Sequence, residues 1–203
     1  VGVHVSKVAR EVIDKLNFNH YRMDSNRPAW PRTLSGIIVV DAGGPSQIGI
    51  NLPPNIPTCV IDHHAHSSDT WDLGETGLHL NRPVKATTQI VYEYLHQKLP
   101  SMLTDRVRKL LMTGLISDTG HYRHADSAAL FDAASILGPD IEHGDVLDLL
   151  RTTGLGRSTR TATLRALSRL KVEISGGWTV AITSCGTHEG LVGGSLINAG
   201  ADV

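Results

Sequence analysis

The amino-acid sequence predicts an α/β fold in which a mainly parallel sheet is flanked by helices. Residues 37–40 and 58–61 form two short runs that are almost entirely apolar, and each run ends on a carboxylate, Asp41 or Asp62. Strands that are apolar on both faces are typical of parallel sheets covered by helices. Segments with apolar residues at helical spacing supply the covering layers.

Helical patterns account for much of the remaining chain. Ser6 is a candidate N-terminal cap for the first helix, Thr87 or Thr88 for the next, and Thr104 for the one after it. Gly138-Pro139 ends a further helix. In chain order, we predict helices near 6–17, 87–95, 104–115, 128–137, 146–150, 157–170 and 191–199, and a strand at 178–183.

The sequence predicts an unequal division into domains. Residues 1–156 form the main core in this interpretation, and residues 157–170 form a connecting helix that is rich in arginine. Residues 171–203 begin a smaller second α/β domain. A core of this size lies within the usual range for one domain.

Composition excludes several classes of partner and location. The 19 Lys and Arg residues nearly balance the 20 Asp and Glu residues, so no overall charge favours nucleic acid or a membrane surface. No apolar run reaches the roughly 18 residues of a membrane span, and no signal-peptide pattern is present. Cys59 and Cys185 stand far apart in apolar surroundings, which predicts reduced thiols. We therefore expect a soluble, cytoplasmic protein without a membrane partner.

Three polar clusters carry the chemistry: Asp41, Asp62-His63-His64 and Asp118. Each follows or ends a predicted element, and oxygen and imidazole ligands of this kind suit manganese and related divalent metals. An aspartate after a strand is often only a turn residue, which is the simpler interpretation of Asp41 alone. A strand that ends in a carboxylate and two imidazoles is costly to bury unless a metal or a substrate satisfies them.

These residues resemble the motifs of the DHH phosphoesterase superfamily, which includes RecJ-like exonucleases, oligoribonucleases and family II inorganic pyrophosphatases. Asp62-His63-His64 is similar to the motif that names the superfamily, and Asp41 stands where its second motif has an aspartate. Residues 114–123 resemble its fourth motif, and residues 85–93 resemble a capped helix between the motifs. The resemblance covers most of the chain from Ile37 onward.

The resemblance implies a role for each residue of the site. Asp41 would bridge two Mn²⁺ ions, with Mg²⁺ or Co²⁺ as alternatives, while His63 and Asp118 would both ligate one of these two ions. Asp62 would orient the site without binding metal. His64 would face the substrate phosphate and stabilise charge or donate a proton to the leaving oxygen, and Arg123 would contact phosphate.

The sequence departs from the family pattern near both ends. The first motif, a histidine and two aspartates, has no counterpart before Asp41, because His4 is followed only by Val5 and Ser6. The glycine-rich, histidine-bearing loop of the family's smaller domain is also absent, and Gly193-Gly194 does not replace it. We therefore expect the chain to be a fragment whose own turnover is slow.

Three functions fit these observations. The leading hypothesis is hydrolysis of short single-stranded RNA or DNA, or of nucleotides, as in the RecJ and oligoribonuclease branch, because the arginine-rich helix and the following domain resemble that branch. A pyrophosphatase or small-nucleotide phosphatase is an enzymatic alternative, since the same metal core serves any phosphoryl transfer. A noncatalytic nucleotide- or protein-binding subunit is a third. Assembly as a homodimer is left open.

Overall fold

The computed structural model describes residues 5–21, 23–24, 26–65, 67, 69–151 and 157–203. The chain divides into two compact units, Val1–Arg151 and Thr152–Val203, each of which is described by itself below. The helices are α1 Lys7–Lys15, α2 Thr87–Lys98, α3 Asp105–Asp118, α4 Ser127–Leu137, α5 His143–Leu150, α6 Arg157–Leu167 and α7 Glu189–Asn198. The strands are β1 Ile37–Val40, β2 Thr58–Asp62, β3 Leu78–Asn81, β4 Lys171–Ser175 and β5 Trp178–Ile182.

The first unit contains a three-stranded sheet in the order β1-β2-β3, and both strand pairs are parallel. Its register pairs Val40 with Ile61 and Asp62 with Asn81, so the carboxyl ends of all three strands lie at one edge. Val39 and Val60 are buried and pack with Ala42. The predicted α/β class with a parallel, helix-flanked sheet is confirmed.

Helices α2 to α5 share the main apolar core of the first unit. Met112, Leu115 and Ile116 of α3 are fully buried, because they recur on the face of the helix that contacts α2, α4 and α5. Thr104 caps α3 by accepting a hydrogen bond from the Val107 N–H at 3.4 Å, as predicted. Gly138 ends α4 with a positive φ of 63°, which glycine adopts without strain.

The second unit pairs β4 and β5 as an antiparallel hairpin. A small core forms where Ala166 of α6 meets Val192 and Leu196 of α7. The helix and the strand predicted at 157–170 and 178–183 correspond to α6 and β5, whereas β4 was not predicted.

Two local predictions were wrong. Neither Thr87 nor Thr88 caps α2, because Ala86 occupies the cap position and the Gln89 side chain accepts hydrogen bonds from the Lys85 and Ala86 N–H groups at 2.9 and 3.1 Å. The apolar strand β1 is also not covered on both faces, since Ile38 remains 70% exposed among the described residues. None of the described helices has the length and apolar character needed to cross a bilayer.

The burial of Leu115 predicts its contribution to stability. Leu115→Ala leaves a cavity at a fully buried position, so we expect the free energy of unfolding to fall by roughly 2–5 kcal/mol. Urea denaturation followed by circular dichroism measures this change. Leu130→Ala is the matched control, because Leu130 is 51% exposed and its truncation should cost below about 1 kcal/mol. Equal losses for the two variants would contradict the packing described for α3.

Candidate metal centre

The candidate site lies at the carboxyl edge of the parallel sheet, where ligands gather in open α/β folds. Asp41 follows β1, Asp62 ends β2 and is followed by His63 and His64, and Asn81 ends β3. The parallel register of the three strands is therefore what brings residues 40 positions apart in sequence to one place. The sequence-based prediction that the two apolar strands deliver polar groups to a common edge agrees with this geometry.

Asp41 turns its carboxylate toward the site through an unusual backbone conformation. Its φ is 60°, in the left-handed region, while its N–H still donates to the Ile61 carbonyl at 2.9 Å. Aspartate tolerates this region better than most residues. One carboxylate oxygen, Oδ1, accepts a hydrogen bond from the Thr87 hydroxyl at 2.8 Å. Oδ2 has no partner within the described residues and is available to a ligand.

His63 presents a lone pair to Asp41. Its Nδ1 lies 3.2 Å from the carbonyl oxygen of Val84, and because a carbonyl only accepts, Nδ1 carries the proton. In the neutral ring Nε2 is therefore unprotonated, and it lies 3.4 Å from Asp41 Oδ1. Either a proton on Nε2 or a bound cation would offset the charge of the Asp41 carboxylate at this distance. A carbonyl that fixes the far nitrogen of a histidine is a common support for metal ligation.

Asp62 and His64 form a carboxylate–imidazole pair. Asp62 is fully buried, and its Oδ1 lies 2.7 Å from His64 Nδ1 while its Oδ2 accepts the His64 N–H at 3.1 Å. Burial acts to raise the pKa of Asp62, but the hydrogen bonds from His64 and from the backbone of His63 outweigh it, so the pKa is lowered. The hydrogen bond that the His64 ring donates to Asp62 raises the pKa of His64, against a smaller opposing effect of burial. The His64 ring leaves Nε2 free for a ligand or a substrate.

Asn81 and Gly43 hold this pair from two sides. The Asn81 amide donates to the His64 carbonyl at 2.9 Å and, more weakly, to Asp62 Oδ2 at 3.4 Å. A Cβ at position 43 would lie only 3.3 Å from the Cβ of His64 and 3.6 Å from Asp62 Oδ2. The loop after β1 thus packs directly against the second histidine, and any larger residue at this position would press on it.

The structure brings Asp41, His63 and His64 together, with one ligand atom of each within 4.8 Å of the others. The two imidazole rings lie 4.5 Å apart between centroids. Asp118 ends α3 and lies outside this group of three, but within range of its charges. Partial burial raises the pKa of Asp118 most, repulsion from Asp41 adds to the rise, and both histidines oppose it. The Asp41 and Asp118 carboxylates thus repel each other, and a cation between them would relieve this repulsion.

Arg123 and Asp118 are the two predicted site residues whose side chains form no hydrogen bond or ion pair within the described residues. The Arg123 side chain is exposed. The sequence interpretation missed Thr87, Asn81 and Val84 as supports of the site. Thr87 stood inside the segment that resembles the family's capped helix, so its hydroxyl was assigned to the helix end instead of to Asp41.

Comparison with known proteins supports the fold. No family model matches the chain. An uncharacterized protein of Methanocaldococcus jannaschii is 26% identical over 201 residues, which cover 98% of this chain and 58% of that protein. The chain therefore spans somewhat more than half the length of the curated relative that it matches.

Two solved structures have similar folds. An exopolyphosphatase-related protein from Bacteroides fragilis matches 67% of this chain and 41% of its own, with a TM-score of 0.54 and 18% identity. A Methanococcus jannaschii protein described as a candidate family II inorganic pyrophosphatase matches 98% of this chain and 70% of its own, with a TM-score of 0.47 and 18% identity. The likeness to the first of these structures supports the α/β fold of the chain.

The donor set fits a divalent metal ion. It combines carboxylate oxygen from Asp41 with neutral imidazole nitrogen from His63, and a nearby second carboxylate adds negative charge. Mixed imidazole and carboxylate ligands suit manganese, iron, cobalt or zinc better than they suit calcium or magnesium. The nitrogen of His63 that faces the site is the one left unprotonated by the Val84 carbonyl, as ligation requires.

The Asp62–His64 pair predicts a measurable titration. In metal-free protein, we expect the His64 imidazole to titrate above its ordinary pKa of about 6.5, and Asp62→Asn to lower that pKa, because the hydrogen-bonded carboxylate is removed. NMR titration of the imidazole protons measures both values. The raised pKa of His64 should stabilise the fold fully below about pH 6.5, as long as Asp62 is ionised, and this effect is lost as pH rises through the folded-state pKa of His64.

The control for this titration is Asp140→Asn, which removes an exposed carboxylate that forms no hydrogen bond among the described side chains. It should leave the His64 titration unchanged. A His64 pKa that is the same in the wild type and in Asp62→Asn would show that the buried carboxylate does not hold the imidazolium.

Proposed function

We propose that this chain provides the metal-binding core of a divalent-metal-dependent phosphohydrolase. The observation that carries the proposal is the cluster of Asp41, His63 and His64, in which Nε2 of His63 faces the carboxylate of Asp41 at 3.4 Å with His64 beside it. The fold class supports the same conclusion, since the solved structures with this fold include a protein described as exopolyphosphatase-related. Manganese is the metal we propose, because imidazole and carboxylate together accommodate it.

Asp41 and His63 would hold the ion, and Asp118 would complete its negative surroundings. When bound, such an ion polarises a phosphoryl oxygen and acidifies a water molecule. Thr87 keeps the Asp41 carboxylate in one orientation through its hydroxyl, and Val84 keeps the His63 ring in one tautomer. The protein thereby fixes the ligand geometry before any substrate arrives, which is the usual contribution of groups around a metal site.

His64 is suited to hold a proton close to the substrate. Its side chain is 40% exposed, its Nδ1 is bonded to buried Asp62, and its pKa is raised, so the imidazolium persists to higher pH than in an isolated histidine. A proton on Nε2 can then stabilise negative charge on a phosphoryl oxygen or pass to the leaving oxygen. Asp62 stays ionised through this step and stabilises the positively charged ring.

For the substrate, we propose short single-stranded nucleic acids or nucleotides, with a phosphodiester bond as the reacting group. His64 and Asp41 would act on the phosphate group alone, and both side chains are partly exposed. They therefore do not restrict the chemical groups attached to that phosphate. A phosphoanhydride substrate, such as pyrophosphate or polyphosphate, is the second candidate, and the exopolyphosphatase-related neighbour favours it. Both cysteines are free thiols, which fits a cytoplasmic location.

The first test is metal binding by the 203-residue chain. We expect Mn²⁺ to bind, and Asp41→Asn or His63→Gln to weaken its affinity at least about 100-fold, because each removes a ligand. Electron paramagnetic resonance of free Mn²⁺ measures the affinity. Asp140→Asn and His79→Gln are matched controls on exposed residues of the same types, and both should bind as the wild type does. Binding that survives Asp41→Asn and His63→Gln together would overturn the assignment.

Hydrolysis assays then separate the substrate classes. A labelled trinucleotide and pyrophosphate are offered to the same protein with Mn²⁺ and with chelator. Release of mononucleotides that requires Mn²⁺ supports the nucleic-acid substrate, and release of orthophosphate alone supports the phosphoanhydride substrate. Asp118→Ala should abolish either reaction without unfolding the chain. Turnover that is retained in Asp118→Ala or in the presence of chelator would contradict the mechanism.

We expect removal of the Thr87 hydroxyl to weaken Mn²⁺ binding less than removal of a ligand does. Thr87→Val preserves shape but removes the hydrogen bond to Asp41, so we expect Mn²⁺ affinity to fall by about 10- to 100-fold. Thr88→Val is the matched control, because the buried Thr88 hydroxyl has no hydrogen-bond partner among the described residues and its removal should be neutral or slightly stabilising. Identical affinities in the two variants would show that Thr87 does not position the ligand.

A further inference from the structure

A second concave site lies within the smaller unit, between α6 and the loop that follows β5. Its cavity measures about 640 Å³, which is within the range of small-molecule sites. Arg157, Thr161 and Arg165 line it from successive turns of one face of α6, and Arg169 follows just beyond the helix end. The opposite wall is formed by the segment from Cys185 to Thr187.

The charged residues that line this cavity are all positive. Its lining contains three arginines and no carboxylate. Within the part of the chain that the structure describes, Arg157 and Arg165 form no ion pair or side-chain hydrogen bond, and Arg169 donates only to the Ser184 carbonyl at 3.2 Å. Guanidinium groups one or two helical turns apart repel one another when nothing neutralises them. A bound anion would remove that repulsion.

The cavity walls are held in place by the protein itself. The Thr183 hydroxyl donates to the Ala166 carbonyl at 2.6 Å and ties the loop after β5 to α6. Ala166 is almost fully buried and packs with Val192 of α7, so the helix that carries the arginines has a fixed support. The concave shape therefore does not depend on a ligand.

We infer that this cavity binds a linear anion that carries two or more phosphate groups, with Arg157 and Arg165 as its principal contacts. These residues are eight positions apart, which corresponds to about 12 Å along a helix axis. A single phosphate is too small to lie beside both of these helix positions. Guanidinium groups match phosphate oxygens in a bidentate manner, and the hydroxyls of Ser158 and Thr161 add donors. Binding of this anion needs no metal.

Cys185 supplies a local reporter, because its thiol lines the cavity and is partly exposed. In the full chain carrying Cys59→Ala, the rate of Cys185 alkylation by N-ethylmaleimide, a neutral reagent, is followed with chelator present. We expect tripolyphosphate and a trinucleotide to slow alkylation in proportion to their occupancy, and a neutral nucleoside to have no effect. Protection should weaken as the salt concentration rises.

The matched pair of variants is Arg165→Gln and Arg160→Gln. Both arginines are exposed on α6, but only Arg165 lines the cavity. We expect Arg165→Gln to raise the half-protecting concentration about fivefold, as loss of one exposed ionic contact does, and Arg160→Gln to leave it unchanged. Protection by tripolyphosphate shows that phosphates alone suffice, and protection by the trinucleotide alone shows that bases contribute. Absence of protection by both ligands, or equal effects of the two variants, would overturn the inference.

Discussion

A carboxylate without solvent exposure stands at the end of the central strand, and the site is organised around it. Asp62 remains ionised because several donors reach it: the imidazole and the N–H of His64, the backbone of His63, and the Asn81 amide of the neighbouring strand. A buried charge without such partners would cost several kcal/mol. The same requirement fixes the chain direction after β2, so that His63 and His64 leave the strand on the side where Asp41 arrives from β1.

The order of the supports around the site follows from this arrangement. Asp62 acts on His64, Val84 acts on His63, and Thr87 acts on Asp41, so each group that faces the site has one neighbour that sets its orientation. Val84 lies in the turn after β3, and Thr87 lies at the start of α2. The parallel sheet thus determines where the functional groups lie, and the segment after β3 determines how they point.

The sequence predicted the parts of the fold that depend on local patterns. Strands β1 and β2 and the helices with regular apolar spacing were predicted close to their observed positions, because period and capping are visible in a few residues. Strand β3 was missed, since Leu78-His79-Leu80-Asn81 is short, polar at alternate positions and defined only by pairing with β2. The Thr87 hydroxyl was misassigned for a similar reason, because its partner is 46 residues away.

The left-handed backbone of Asp41 restricts how this position varies among relatives. Glycine, asparagine and aspartate enter that region readily, while a β-branched side chain would add strain of about 1 kcal/mol or more. Of the three, aspartate alone carries charge. A relative that has lost the proposed metal site could therefore carry asparagine or glycine here while the sheet edge keeps its shape. In a genomic survey, the residue at this one position would separate relatives that keep the candidate ligand from those that retain only the architecture.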